Sequence, residues 1–121
     1  MKPIAAALVA LVALLHVGFL VLEMFLWKTP VGRKTFGTTA EFADASAVLA
    51  ANQGLYNGFL AAGLVWALFA YGVQGGRSLL TFFLGCVIVA GVYGAATASP
   101  KILLLQALPA AAALAAVWLA S

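Results

Sequence analysis

The stretch Pro3-IAAALVALVALLHVGFLVLEMFL-Trp27 stays apolar for longer than the about 20 residues a helix needs to cross a bilayer, and its polar interruptions are His16 and Glu23. Its length and lack of charge predict a transmembrane helix. Lys2 followed by an apolar run invites comparison with a signal peptide. The run is longer than a typical signal core, however, and no small-residue cleavage site follows it, so it is expected to stay as a first span.

Working outward, three more stretches satisfy the same requirement: Ala45 to Val73, Ser78 to Ala98 and Ile102 to Ala120. Of the 121 residues, 66% are hydrophobic and 7% charged, and mean hydropathy is +1.16, a balance outside that of soluble domains. The fold class expected is all-α: a polytopic membrane protein forming a single four-transmembrane-helix bundle over residues 1–121, with spans at about 3–27, 45–73, 78–98 and 102–120. The lone Cys86 cannot form an intramolecular disulfide and is expected to pack.

The connections organise this bundle. Residues 28–44 form the one substantial loop and hold Lys28, Arg33, Lys34, Glu41 and Asp44, five of the chain's nine Asp, Glu, Lys and Arg residues. Thr29, Pro30 and Gly32 read as a helix exit and turn. Phe36 and Phe42 among the basic residues suit an amphipathic segment lying on the membrane surface. Asp44 or Ser46 is expected to cap the second span. The breaks around Gly72 to Arg77 and Ser99 to Lys101 are short, so spans two, three and four are expected to be antiparallel neighbours. Counting Lys28, Arg33, Lys34 and Lys101 against Lys2 and Arg77 places the long loop in the cytoplasm by the positive-inside rule.

Function is sought among the polar residues that the apolar spans carry. An ionisable group at bilayer depth costs a few kcal/mol on translocon scales, about 2.5–3.5, and needs a pocket, a partner or a proton. On the first span His16, Glu23 and Trp27 follow at spacings of seven and four, on roughly one face. At 1.5 Å per residue His16 and Glu23 stand about 10 Å apart along the axis, so a ligand, a water or another helix must lie between them. Lys28, just beyond Trp27, brings Glu23 towards the interface. Burial and a neighbouring cation act in opposite senses on such a carboxyl, which suits a proton that is held and exchanged, and makes Glu23 and His16 the acid/base candidates.

The second span supplies Asn52-Gln-Gly-Leu-Tyr-Asn-Gly58. Asn52 with Tyr56 and Gln53 with Asn57 are paired at i,i+4, and three amides and a phenol are expected to point inward, away from lipid. Gly54 and Gly58 make a small-x-x-x-small pair that lets another helix come close, and the amides can equally be hydrogen-bond glue between helices. A weaker set lies further on: Tyr93, Thr97, Lys101 and Gln106. Of these, Tyr93 and Gln106 join Trp27, Asn52, Gln53, Tyr56 and Asn57 as candidate ligand-binding residues. Pro109 is expected to bend the fourth span and free a carbonyl. Gly91, Gly94, Ala90 and Ala98 read as packing. One His, one buried carboxylate and one Cys give no familiar metal spacing, so no metal and no cofactor is expected.

Glu23-Met-Phe-Leu-Trp27, then Pro30, Gly32, Arg33, Lys34 and Phe36, then Ala51-NQGLYNGFL-Ala61, and Gly91-Val-Tyr-Gly-Ala95 together resemble a bacterial family of small four-helix membrane proteins known only as a domain of unknown function. The likeness spans nearly the whole chain. It implies architecture and a multi-pass place in a bacterial inner membrane, and it carries no reaction or substrate.

Three classes of function follow. The first is an intramembrane site for a small amphipathic or lipid-like molecule, with Glu23 and His16 across the ligand and chemistry left open. The second is a proton-coupled transporter working as a dimer, since length, four spans and a first-helix glutamate are similar to the small multidrug-resistance exporters. The third is a structural or accessory subunit. The expected partners are the bilayer, an amphipathic ligand and, for the transporter, a second copy; a net charge of +3 with basic residues flanking the spans argues against nucleic acid.

Overall fold

The computed structural model describes residues 2–120. Their regular structure is entirely helical: α1 Lys2–Met24, α2 Pro30–Phe36, α3 Ala40–Gly75, α4 Arg77–Thr97, a π-helical turn Leu103–Ala107, and α5 Leu108–Leu119. Helices α1, α3 and α4 are each long and apolar enough to cross a membrane, and Leu103–Leu119 forms a shorter apolar helix. The chain divides into two compact units, residues 1–15 with 60–121, and residues 16–59.

The first unit is a four-helix bundle. Each helix buries one stripe at 3–4-residue spacing, the helical repeat. Ala5, Val9, Val12 and Ala13 come from α1, Ala61, Leu64 and Ala67 from α3, Leu80, Leu84 and Val87 from α4, and Ala110, Ala113, Ala116 and Val117 from α5. Small residues dominate, which allows close helix approach where lipid supplies no hydrophobic drive between helices. Gly63 lies under the Phe83 ring, whose Cζ is 2.4 Å from where a Cβ would sit. Large apolar side chains such as Leu14, Phe69 and Phe82 stay exposed, as a lipid-facing surface requires.

The link between α3 and α4 depends on one backbone conformation. Gly72 has φ 76° and ψ 177°, a region that is essentially glycine-only. It breaks the α3 helix so that Gly76 N–H donates to the Gly72 carbonyl at 2.8 Å, and Leu80 N–H to Gly76 at 2.8 Å, starting α4. Gly72→Ala is therefore expected to cost about 1–3 kcal/mol. Gly75→Ala, whose Cβ would meet Tyr71 Cβ at an ordinary 3.7 Å, should be neutral or mildly stabilising. Thermal unfolding of the two variants in one detergent checks the order, and equal midpoints would refute it.

Pro109 acts on the helix by a specific route. Lacking an N–H and crowding the carbonyl four residues back, it cannot continue an ordinary helix, and the turn before it widens, with Leu108 N–H donating to the Leu103 carbonyl. The widened turn packs on α4 at Gly91, where a Cβ would fall 2.7 Å from Ala107 N. At the other end of α5, Trp118 Nε1 donates to Thr81 Oγ1 at 3.0 Å, and the Arg77 guanidinium lies 4.3 Å over the Trp118 ring, a cation–π contact.

The second unit corrects the sequence reading of residues 28–44. Thr29 and Pro30 begin a helix rather than a turn: Thr29 is the N-cap of α2, its hydroxyl accepting from Gly32 N–H at 3.3 Å and donating to the Leu26 carbonyl at 2.6 Å. Pro30 fits the first helical position, where its missing N–H costs nothing. Gly37, at φ 67°, closes α2. Helix α3 then starts at Ala40, five residues earlier than expected, and its cap is Thr39, whose Oγ1 accepts from Phe42 N–H at 3.1 Å, rather than Asp44 or Ser46. Helix α1 ends at Met24, short of Trp27.

Candidate functional site at the α1–α3 contact

Within residues 16–59, the end of α1 lies against the start of α3, running antiparallel. Gly54 is buried, and a Cβ there would come 2.8 Å from Met24 Cγ, 3.1 Å from Glu23 Cβ and 3.2 Å from the Leu20 carbonyl. Gly58, one turn on, faces Leu20 Cδ1 at 2.6 Å on the same measure. The small-x-x-x-small pair thus serves close approach, as its spacing suggested.

That approach brings Glu23 to Asn57. Asn57 is buried, 5% exposed, and its Nδ2 donates to Glu23 Oε1 at 2.5 Å. Among the described residues this is the hydrogen bond that Glu23 makes: its second oxygen has no protein partner, and it is not one of the sealed polar atoms. Glu23 itself is half-buried. An ionised carboxylate is an acceptor at both oxygens, so the arrangement is a held carboxyl group with one acceptor side open.

Further along, Trp27 Nε1 donates to Ser46 Oγ at 3.1 Å, and the indole packs on Phe36 of α2 with ring centroids 4.9 Å apart. Gly32 makes this possible, because a Cβ there would be 2.0 Å from the Leu26 carbonyl oxygen. Lys28 pairs with Asp44 at 3.6 Å on the surface, not with Glu23. Arg33 Nε and Thr38 Oγ1 are buried without a hydrogen-bond partner.

The other sequence candidates are placed differently. His16 is fully buried, edge-on to Phe19 at 5.1 Å, and it does not meet Glu23, whose bond goes to Asn57. The two do not bond directly, as their separation of seven residues requires. Asn52 and Gln53 are exposed, and Tyr56 is 55% exposed, set edge-on to Phe59 at 5.7 Å. The expectation that the whole amide block points inward is therefore corrected: Asn57 alone of the three amides does so. Tyr93 is 71% exposed and lies outside this unit, on an outer apolar groove of α4 with Phe82, Cys86 and Val89. Gln106 is half-buried in the π-helical turn, also outside it. The described residues contain no group of three or more His, Cys, Asp or Glu able to hold a metal. Ser46 and Phe36, which fix Trp27, were missed. The i,i+19 separation of Trp27 and Ser46 carries no local periodic signal.

Comparison with known proteins gives a family and a relative. A family model described as "Protein of unknown function (DUF1304)" matches residues 10–118. The uncharacterized protein YpaA of Lactococcus lactis subsp. lactis (strain IL1403) is 33% identical over 98 residues, which cover 79% of this chain and 81% of that protein. No solved structure matches the chain.

Proposed function

Because the chain belongs to the DUF1304 family of proteins of unknown function, which brings no reaction with it, we propose from the site's own geometry that the protein binds a small amphipathic molecule at the membrane interface through Glu23. The observation that carries this reading is the half-buried carboxyl group of Glu23, held on one oxygen by Asn57 and open on the other. A carboxyl group placed in an apolar span is costly unless something compensates it, and Asn57 compensates one side. Position supports an amphiphile. Glu23 is next to the last residue of α1, and Trp27 and Lys28 follow, residue types that gather at the membrane surface. A ligand's polar head would sit at Glu23, with its apolar tail directed into the hydrocarbon around the spans.

A second reading is favoured by the same hydrogen bond. It crosses the contact that Gly54 and Gly58 make close, so Glu23 and Asn57 are also placed as glue between α1 and α3. The two readings part in native mass spectrometry from mild detergent. Binding predicts a saturable amphiphile on the wild type whose affinity falls by about 10- to 100-fold in Glu23→Gln, the scale of a lost hydrogen bond to a charged group. Glue alone predicts an empty wild type and a variant that is merely less stable.

A further inference from the structure

We infer that the head group received by Glu23 is an ammonium, so that the ligand is a lipophilic amine; this rests on the amphiphile-binding reading above. Asn57 already satisfies Glu23 Oε1, and what remains open is a carboxylate oxygen without a protein donor. Its chemical complement is a donor, and a charged donor adds an ion pair to the hydrogen bond. An anionic head would meet like charge there, and a neutral hydroxyl would donate without forming an ion pair.

The surroundings fit a cation. Lys28, which follows Glu23 by little more than a turn, is engaged with Asp44 at 3.6 Å, and both side chains are mostly exposed, so water and salt screen that positive charge. The open side of the carboxyl group lies at the end of an apolar span, so an amine bearing an apolar tail matches it better than a neutral or an anionic amphiphile does.

The test uses three probes with the same tail: dodecylammonium, dodecanol and dodecanoate. They compete for the full-length protein in a nonionic detergent, with occupancy read by native mass spectrometry. Dodecylammonium is expected to bind the wild type about tenfold tighter than either of the others, the scale that an ion pair adds to a hydrogen bond. Glu23→Gln should remove that preference and Glu23→Asp should keep part of it. The wild-type comparison stands even where a variant does not fold. Saturable binding that depends on Glu23 but ranks the three probes equally overturns the amine and leaves the binding reading intact. Preferential dodecanoate binding overturns it in favour of the basic residues Arg33 and Lys34. Failure of the wild type to retain any of the three overturns both.

Discussion

Gly32→Ala is expected to dislodge α2, at a cost of about 3 kcal/mol, the upper end for overpacking. The added methyl would lie 2.0 Å from the Leu26 carbonyl oxygen, 2.8 Å from the Leu26 carbonyl carbon and 3.0 Å from the Trp27 oxygen. All three are backbone atoms, so no rotamer change relieves the clash and α2 must move as a body. Its movement would separate Phe36 from Trp27, now 4.9 Å apart, and free the indole that Ser46 holds. Trypsin offers a direct reading, because Arg33 and Lys34 lie within α2 and resist cleavage while it is docked and helical. Gly32→Ala should be cut many times faster than the wild type. Gly37→Ala is the matched control: nothing lies within 4 Å of its Cβ position, and its φ of 67° costs an alanine only about 1 kcal/mol. Equal cleavage rates for the two variants would mean that α2 does not depend on the close contact at Gly32.

Why α2 escaped the sequence reading is physically plain. A helix of two turns has too few residues for a periodic apolar face, and Thr-Pro-x-Gly is as good a turn signal as a helix start. The apolar runs of α1, α3 and α4, by contrast, were legible because bilayer thickness sets a length that chance runs seldom reach, whereas the fourth expected span is the shorter helix Leu103–Leu119. Their ends were not. Helix α3 extends outward to Ala40 because Thr39 caps it, and a helix that leaves the hydrocarbon keeps its own backbone hydrogen bonds.

The site was half legible for a related reason. The buried stripe of α3 passes through Ala43, Ala50, Gly54, Asn57, Ala61 and Leu64, residues three, four or seven apart. At about 100° per residue, Asn52 points roughly 140° away from Asn57. Pairing polar residues at i,i+4 shows which of them are neighbours and not which side of the helix the neighbours face. The small residues at 50, 54 and 61 mark that side. Reading the seam from Ala and Gly rather than from polarity would have selected Asn57 and left Asn52 outside. Spacing places His16 on the face of Glu23, and its full burial against Phe19 is a contact that polarity alone does not reveal.

Replacing both Glu23 and Asn57 is expected to preserve the fold and abolish binding, and the comparison with the single variants is what separates the two roles of the pair. Glu23→Met leaves the buried Asn57 amide without its acceptor, and an orphaned buried polar group costs about 1–3 kcal/mol. Asn57→Leu leaves the carboxyl group facing Leu20 and Gly54 with neither oxygen held, which should cost at least as much. In the double variant no polar group is stranded, Leu keeps the branching of Asn and Met the length of Glu, so stability should return to within about 1 kcal/mol of the wild type. Coupling between helices in a bilayer runs at about 0.6 kcal/mol on average and about 1.7 at most; a cycle measured by unfolding in mixed detergents should exceed that average, since one partner is a carboxyl group. Amphiphile binding should be missing in the double variant and in Glu23→Met alike, because neither retains the open oxygen. A double variant that regains stability and still binds would show that the ligand is held elsewhere. One that fails to regain stability would show that the close contact at Gly54 tolerates no exchange of shape, with or without a hydrogen bond across it.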